Sequence, residues 1–260
     1  MNNKKKPQLN TEKKGTHQFA FFVSDLTSLL AKQKKSELRI SDEKLYHRVM
    51  RVVRLNVGET CILFDEKNNV HFEFYAAEGK KHIDGTVICT QKNKVLAPQI
   101  TFFLPMIKRE YFETALYSLV ELGVNIVQPI ITQKTKRKWK GQKEHDRLFQ
   151  IMVAAAEQSK NFSIPELKNP ISLVECCKAS APETAKLFFD PSGDPVATVL
   201  ERCKNKDLKL MVGPEGDLTD LEKKLLLKSG FEFCALTPTV LRSLQAAALS
   251  VGIFRSFLAR

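Results

Sequence analysis

The stretch Gly213-Pro-Glu-Gly216 has residue types and spacing that suggest ligand chemistry. It follows the apolar run "LKLMV" and precedes a polar stretch in which a helix is expected to begin at Thr219. Glycines at the carboxyl end of a strand let backbone N–H and C=O groups approach a ligand without an intervening Cβ. The stretch matches neither the Gly-x-Gly-x-x-Gly dinucleotide motif nor the phosphate P-loop. A ligand-binding loop and an ordinary structural turn are both consistent with it.

A second loop of this kind lies in "ALTPTVLRS", residues 235–243. A strand-like run ends there, an irregular stretch follows, and a helix is predicted to begin. Loops that follow two neighbouring strands of a parallel sheet share one crevice. Leu236, Val240 and Leu241 would then wall an apolar slot for an adenine ring, with backbone groups at its edge. The alternative is a hydrophobic helix entry that binds nothing.

Positive charge is the main compositional feature of the chain. The formal net charge is +12 at pH 7 over 260 residues. This excess favours a polyanionic partner, nucleic acid first and an anionic membrane surface second. The most basic run is "KTKRKWKGQK", residues 134–143. Trp139 within it can stack on a base or belong to a solvated charged loop.

Several other classes of protein are disfavoured. None of the six cysteines forms a Cys-x-x-Cys pair, and the five histidines do not cluster near them. We therefore predict no metal site and no disulfide framework, but reduced thiols in a cytoplasmic protein. No apolar run approaches the ~20 residues of a membrane span. The basic start of the chain lacks the apolar segment of a secretory signal, and residues 1–16 are predicted to be a disordered tail.

The first part of the chain predicts a small β-rich unit. The runs "HQFAFFV", "TCILFD", "VHFEFYAA" and "HIDGTVI" are separated by turn residues and predict short strands. Val49, Val52 and Val53 have helical spacing. Several short strands at close spacing suggest a barrel over residues 17–91. The polar stretch over residues 92–98 ends in proline and is expected to be a linker.

Residues 99–260 predict alternating strands and helices. Strands are expected at "QITFFLPMI", "NIVQPII", "AKLFFDP", "LKLMVGP" and "FEFCALTP", and helices at "KREYFETALYSLVELGV", "RLFQIMVAAAEQSK" and "VLRSLQAAALSVGIFRSFLAR". Thr219 and Glu222 predict a capping box for a further helix that ends before Gly230. Gly123 lies where a helix C-cap belongs. This alternation predicts a parallel α/β sheet.

Four segments, in this order, resemble the small-subunit ribosomal RNA uridine-N3 methyltransferases of the SPOUT superfamily. "RVVRLNVGETCILFD" is similar to the family's Arg-Val-Leu-Arg-Leu-x-x-Gly-Asp signature, and "ALYSLVELGVNIVQPIITQKT" to its Lys-x-x-Glu-Leu-Gly-Val-x-x-Ile-x-Pro segment. "AAAEQSKNFSIPEL" is similar to Ala-x-Glu-Gln-x-x-Arg-x-x-x-Pro. The two loops described above resemble Gly-Pro-Glu-Gly-Gly and Leu-Gly-x-x-Ile-Leu-Arg-x-Glu-Thr-Ala. The resemblance extends over nearly the whole chain after residue 16.

The resemblance implies a fold and a set of partners. The fold is α/β, with a small N-terminal PUA-like β-barrel that binds RNA and a C-terminal SPOUT α/β domain with a deep trefoil knot, a rare topology. The cofactor is S-adenosylmethionine, and the partner is 16S ribosomal RNA within the small ribosomal subunit. A homodimer is also implied, and the apolar final helix is a candidate for its interface through Leu244, Ala248, Val251 and Phe254.

The matched motifs also imply roles for individual residues. Arg242 is the candidate catalytic residue, as a cation that stabilises negative charge on the uracil oxygens. The expected RNA-binding residues are Arg48, Arg51, Arg54 and Lys134. The expected cofactor-binding residues are Phe189, Val212, Gly213, Pro214, Glu215, Gly216, Leu236, Thr237, Val240 and Leu241.

The predicted function is methyl transfer from S-adenosylmethionine to N3 of a uridine in 16S ribosomal RNA. Such an in-line displacement depends mainly on positioning. The chain departs from the family pattern at Asp217, where a second loop glycine is usual, and at Leu244-Gln245, where Glu-Thr is usual. These departures motivate an alternative, a catalytically silent RNA-binding or ribosome-assembly factor on the same fold. A methyltransferase for a different RNA position is a third possibility.

Overall fold

The computed structural model describes residues 18–32, 36–79, 81–178 and 184–258. The predicted disordered tail, residues 1–16, and the first residue of the predicted barrel lie outside these ranges. Within them, no helix combines the length and the apolar character needed to cross a membrane.

The N-terminal part is built around a five-stranded mixed sheet. Its elements are β1 (Ala20–Phe22), α1 (Leu26–Lys32), β2 (Glu37–Ser41), α2 (Glu43–His47) with a π-helical continuation over Arg48–Val53, β3 (Thr60–Phe64), β4 (Asn68–Glu78) and β5 (His82–Lys92). The strand order is β1-β3-β4-β5-β2, in which only the β1–β3 pair is parallel. The predicted strands β1, β3, β4 and β5 are confirmed, and β5 continues into the stretch predicted as a linker.

The helix α1 and the strand β2 of this part were not predicted. β2 contains only two buried residues, Leu38 and Ile40, between exposed polar neighbours, so its apolar signal is short. The helical spacing of Val49, Val52 and Val53 does indicate a helix, but only Val49 is buried and Val52 is 65% exposed. The wider π turn shifts the residues around the helix axis relative to an α-helical pattern.

The C-terminal part contains a seven-stranded sheet whose strand pairs are all parallel within the described residues. Its elements are β6 (Ile100–Pro105), α3 (Arg109–Glu121), β7 (Ile126–Ile131), α4 (Gln142–Ser159), β8 (Glu166–Leu167), β9 (Ile171–Ser172), α5 (Leu173–Lys178), β10 (Thr184–Pro195), α6 (Val196–Leu200) with a 3-10 turn over Glu201–Cys203, β11 (Asp207–Val212), α7 (Asp220–Lys228), β12 (Glu232–Ala235) and α8 (Ser243–Leu258). The prediction of a parallel α/β sheet is confirmed.

The strand order β12-β10-β11-β6-β7-β8 places β11 and β6 in the middle of this sheet, and β9 pairs with β7. Both central strands are covered on two faces and read as nearly continuous apolar runs, which is typical of parallel strands. Ile100, Phe102 and Leu210 have no exposed surface. All these strands point the same way, so the loops after β6, β7, β10, β11 and β12 emerge at one edge of the sheet.

The helix ends follow the local sequence closely in two places. Thr219 and Glu222 form the predicted capping box at the start of α7. Gly123 adopts a φ of 77° immediately after α3, as its predicted C-cap role requires.

The starts of the other two long helices differ from the prediction. α4 begins before Arg147, since Gly141 has a φ of 63° that ends the preceding loop and the Glu144 carboxylate accepts a hydrogen bond from the Lys140 N–H at 2.8 Å. α8 begins at Ser243 rather than Val240, because its first helical hydrogen bond is from the Ala246 N–H to the Arg242 carbonyl.

The final helix packs on the chain's own core. Val251 and Phe254, which were expected at a dimer interface, have no exposed surface and belong to the main hydrophobic cluster. Arg255 is also buried, and its guanidinium donates hydrogen bonds to the Pro98 carbonyl at 2.7 Å and to the Gly123 carbonyl at 2.6 Å. This face of α8 is therefore unavailable to a second copy.

The N-terminal and C-terminal parts are in contact. The Phe22 ring of β1 lies 5.7 Å from the Phe149 ring of α4 in an edge-to-face arrangement. The Phe64 and Phe162 rings are 4.7 Å apart. Aromatic pairs of this kind contribute about 0.5–1.5 kcal/mol beyond the area they bury. The N-terminal sheet thus packs directly against the helical layer of the C-terminal part.

Candidate functional site

The Gly213–Gly216 loop follows β11 and closes with a tight turn. The Asp217 N–H donates to the Pro214 carbonyl at 2.9 Å, and Asp217 adopts a φ of 53°. Aspartate tolerates this left-handed region better than most residues with a side chain. Asp217 can therefore replace the glycine that the family pattern has at this position without breaking the turn.

Neither Gly213 nor Gly216 is required by the fold itself. Neither has a left-handed φ. A Cβ added to Gly213 would lie 3.4 Å from the nearest atom, in Asp217, and one added to Gly216 would lie 3.6 Å from the nearest atom, in Lys134. By contrast, a Cβ on Gly193 would lie 2.2 Å from the Phe233 carbonyl carbon. The free space beside the first two glycines suits a molecule that contacts their backbone.

The second predicted loop forms one wall of a cleft. Five predicted cofactor residues line it together: Phe189, Leu236, Thr237, Val240 and Leu241. Four residues that were not predicted also line it: Asp190, Pro191, Thr239 and Ala246. The only sequence signal for Asp190 and Pro191 was their position at the end of the apolar run "AKLFF".

The remaining predicted cofactor residues lie on the first loop rather than in this cleft. Val212 is buried at the end of β11, and Gly213 and Pro214 are half-buried. Glu215 and Gly216 are exposed.

A hydrogen bond joins the two loops. The buried Ser243 hydroxyl, at the start of α8, donates to the Gly213 carbonyl at 2.5 Å. Its partner belongs to a residue 30 positions earlier in the chain. The two loops predicted separately from sequence are therefore joined at the carboxyl edge of the sheet.

An ion-pair network supports this edge. The Lys223 ammonium lies 2.8 Å from an Asp190 carboxylate oxygen and 2.7 Å from an Asp217 carboxylate oxygen. Burial alone would raise the pKa of Asp190, but hydrogen bonds from Lys223 and Ser192 outweigh it and hold that pKa below its usual value. Asp190 is therefore a carboxylate at neutral pH, and Lys223 connects the cleft to the first loop.

The predicted catalytic residue lies at the end of the second loop. Arg242 is exposed and directly precedes α8. Among the described residues its guanidinium has no carboxylate partner within salt-bridge distance. It is therefore free to meet a ligand at this edge.

The expected RNA-binding residues are separated in the structure. Arg48 forms a bidentate ion pair with Glu157 of α4, with its shortest contact at 2.5 Å, and its guanidinium lies 5.2 Å from the Phe21 ring centre. It thus links the π-helical segment of the N-terminal part to α4 of the C-terminal part. Arg51 and Arg54 are exposed on the π-helical segment and the residue after it. The Lys134 ammonium donates to the Gly216 carbonyl at 2.6 Å, at the first loop.

No group of three or more His, Cys, Asp or Glu side chains suited to a metal ion occurs among the described residues. Burial raises the pKa of the Cys61 thiol to about 12 and that of Cys234 to about 12, so both remain protonated.

The fold and the candidate site define a class of protein: a parallel α/β protein with two paired loops at the carboxyl edge of its sheet, joined to a smaller mixed-sheet unit. Residues 95–255 match the family model described as RNA methyltransferase domain. The chain belongs to this family, and the predicted RNA methyltransferase activity is confirmed at that level.

Curated relatives extend the match beyond that domain. The chain is 26% identical over 227 residues to ribosomal RNA small subunit methyltransferase E of Buchnera aphidicola subsp. Schizaphis graminum, a match that covers 82% of this chain and 88% of the relative. It is 28% identical over 218 residues to the protein of the same name from Synechocystis, with 82% and 71% covered. The resemblance stated from the motifs is confirmed.

Solved structures support the fold. A structure from Legionella pneumophila with the cofactor SAM bound has a TM-score of 0.78 and 23% identity, and the match covers 93% of this chain and 98% of that one. Ribosomal RNA small subunit methyltransferase E from Neisseria gonorrhoeae, bound to S-adenosyl methionine, has a TM-score of 0.75 and 20% identity, with 93% and 98% covered.

Proposed function

We propose that this protein transfers a methyl group from S-adenosylmethionine to N3 of a uridine in 16S ribosomal RNA. The observation on which the proposal rests is the pair of loops at the carboxyl edge, held together by Ser243, in a chain of the RNA methyltransferase family. The named relatives are small-subunit ribosomal RNA methyltransferases, which supports the choice of RNA.

The site fits the cofactor. Phe189, Leu236 and Leu241 offer apolar surface for an adenine ring. The bare backbone at Gly213 and Gly216 leaves room for the ribose and methionine parts. Thr237 stands where the family pattern has a glycine. Its hydroxyl donates to the Thr239 carbonyl at 2.7 Å, so its polar group points into its own loop. When bound, S-adenosylmethionine supplies a methyl group on a positively charged sulfur, which is already strongly electrophilic.

The chain's own residues then have two tasks. They orient the uridine so that N3 lies in line with the methyl group, which can supply a large part of the rate enhancement. They also stabilise the negative charge that forms on the uracil oxygens as the N3 proton leaves, and the Arg242 guanidinium is the group we assign to this role. A uridine whose pairing edge is modified must be unpaired or flipped out.

The finer architecture is also a proposal. We infer a PUA-like barrel over residues 17–91, a linker over residues 92–98 and a SPOUT domain with a deep trefoil knot over residues 99–260. The five-stranded sheet supports the first, and the Ser243–Gly213 bond between distant segments suits the last. We also propose a cytoplasmic homodimer acting on the small ribosomal subunit, whose interface excludes the buried face of α8.

The silent assembly factor remains the second candidate, since the family's Glu-Thr is absent. Leu244 packs against the main core and Gln245 is exposed, so neither supplies a carboxylate. Titration calorimetry with S-adenosylmethionine and with S-adenosylhomocysteine separates the two proposals. The methyltransferase should bind both compounds. A folded protein that binds neither would favour the silent factor.

A further inference from the structure

A strongly basic cleft lies beside the site already described. It has a volume of about 750 Å³ and is lined by seven cationic side chains and one carboxylate. Lys108 and Arg109 contribute from the start of α3, and Lys143 and Arg147 from the first turns of α4. The loop before α4 contributes Arg137, Lys138 and Lys140. We call this the basic cleft.

Three of the seven lining cations are paired with carboxylates of the described residues, and four lysines are not. Glu144 pairs with Arg137 and also accepts the Lys140 N–H, and Glu113 bridges Arg109 and Arg147 at 2.7 and 2.8 Å. The lining lysines have no ion-pair partner among the described residues: Lys108, Lys138, Lys140 and Lys143. So many like charges in one cleft repel each other, and a polyanion would relieve that repulsion.

The floor of the basic cleft is held by contacts with the protein core. The Arg137 guanidinium lies 4.7 Å from the Phe112 ring centre and is held by Glu144. Trp139 is half-buried and packs against the main core, so it anchors the loop rather than extending into solvent. The lysines on either side of Trp139 are exposed. Fixed anchors between exposed cations suit a long backbone with repeated charges better than one small anion.

The N-termini of the two neighbouring helices add to the positive potential of the basic cleft. α3 and α4 both begin at the basic cleft, and neither has a side chain that caps its first N–H groups. These N–H groups carry partial positive charge and add to the field of the cations.

The basic cleft is connected to the cofactor loops. The loop between β7 and α4 is tied to the first loop through Lys134 and to α7 through a 2.7 Å bond from the Gln133 N–H to the Glu222 carboxylate. β7, β6 and β11 are consecutive in the sheet. A chain of phosphates in the basic cleft would therefore run along the same sheet edge towards Gly216.

From these observations we infer that the basic cleft binds the phosphodiester backbone of single-stranded substrate RNA and leads the target nucleotide to the cofactor loops. This inference rests on the proposed function and assigns the main RNA contact to this cleft instead of the N-terminal arginines. Arg48 is already committed to Glu157, which leaves Arg51 and Arg54 as a weaker N-terminal contact.

The test compares salt dependence in matched variants. Lys138→Ala with Lys140→Ala removes two charges from the basic cleft, and Lys224→Ala with Lys228→Ala removes two exposed charges from α7 as a control. The affinity for a fluorescein-labelled single-stranded RNA oligonucleotide is measured by anisotropy over a series of salt concentrations. We expect the cleft variant to bind more weakly and its log–log slope to fall by about 1.4, since each lost contact removes about 0.7.

The outcomes are separable. If the cleft variant keeps the slope and affinity of the control, the inference is wrong. A reduced slope in the double variant Arg51→Ala with Arg54→Ala would then place the RNA on the N-terminal sheet. Methyl transfer to small subunits is measured in parallel. If the wild-type protein transfers no methyl group, the proposed function is contradicted. If the cleft variant transfers methyl groups normally and keeps its RNA affinity, only the inference is contradicted. Circular dichroism confirms that both variants are folded.

Discussion

Substituting glycines at two positions, Gly216 and Gly193, separates a residue kept for a ligand from a residue kept for the fold. At Gly216 an added methyl group would have no neighbour closer than 3.6 Å. At Gly193 it would lie 2.2 Å from a backbone carbon of β12 and 2.3 Å from the next backbone nitrogen. Backbone atoms of a hydrogen-bonded strand cannot move aside as a flexible side chain can.

These distances predict opposite effects of the two alanine substitutions on the free energy of unfolding. Gly216→Ala should leave the free energy of unfolding unchanged or raise it by up to about 1 kcal/mol, because alanine restricts the unfolded chain and its native φ is allowed. Gly193→Ala should lower the free energy of unfolding by about 3 kcal/mol or more, because it overpacks the sheet. Urea unfolding measures both values.

A side chain at Gly216 should weaken cofactor binding even though it does not destabilise the fold. Gly216→Val places a branched side chain in the space assigned to the cofactor, and we expect the affinity for S-adenosylmethionine to fall at least about tenfold, or about 1.4 kcal/mol. Gly216→Ala should lie between this variant and the wild type. Calorimetry on folded protein measures the affinities. Unchanged affinity in Gly216→Val would refute the assignment of this loop, and an unfolded Gly216→Ala would refute the reasoning about free space.

Three further predictions follow. Ser243→Ala removes the bond between the loops and should lower the free energy of unfolding by about 1 kcal/mol while weakening cofactor affinity; unchanged affinity by calorimetry would mean that the loops do not need this bond. Arg255→Met leaves the buried carbonyls that it serves without a donor and should cost about 1–3 kcal/mol in urea unfolding, and a neutral result would show that water replaces the guanidinium. The hydrogen bond from Arg147 holds the pKa of Glu113 at about 2 against its usual 4.5, so the stability from this carboxylate is present above about pH 4.5 and lost towards about pH 2. Glu113→Gln should flatten that part of the stability–pH curve, and a curve identical to that of the wild type would contradict the assignment.

Local signals in the sequence predicted much of the C-terminal part. α3 has a strongly periodic apolar face that is fully buried, and α7 begins with a complete capping box. Parallel pairing followed from the alternation of strands and helices. α1 and β2 were missed because each buries few residues, so their positions depend on contacts that are distant in sequence.

The site was predictable only where one short stretch contains the signal. The loops around Gly213 and Leu236 were found because glycine and irregular sequence follow apolar strands. The Asp190–Lys223–Asp217 network was not found, because it joins three segments through tertiary structure. The ion pair between Arg48 and Glu157 was not found for the same reason, because the carboxylate lies 109 residues away in the chain, and the RNA contact of Arg48 stays a prediction.

The central claim is methyl transfer to uridine N3, and primer extension on small-subunit RNA tests it most directly. The RNA is taken from cells that lack this protein, from the same cells with the protein restored, and from cells that carry Arg242→Ala. A methyl group at N3 blocks the pairing edge, so reverse transcriptase should stop at one uridine only when the wild-type protein is present, and Arg242→Ala should show a much weaker stop. An unchanged pattern of stops, from a protein that is present and bound to the subunit, would contradict the account.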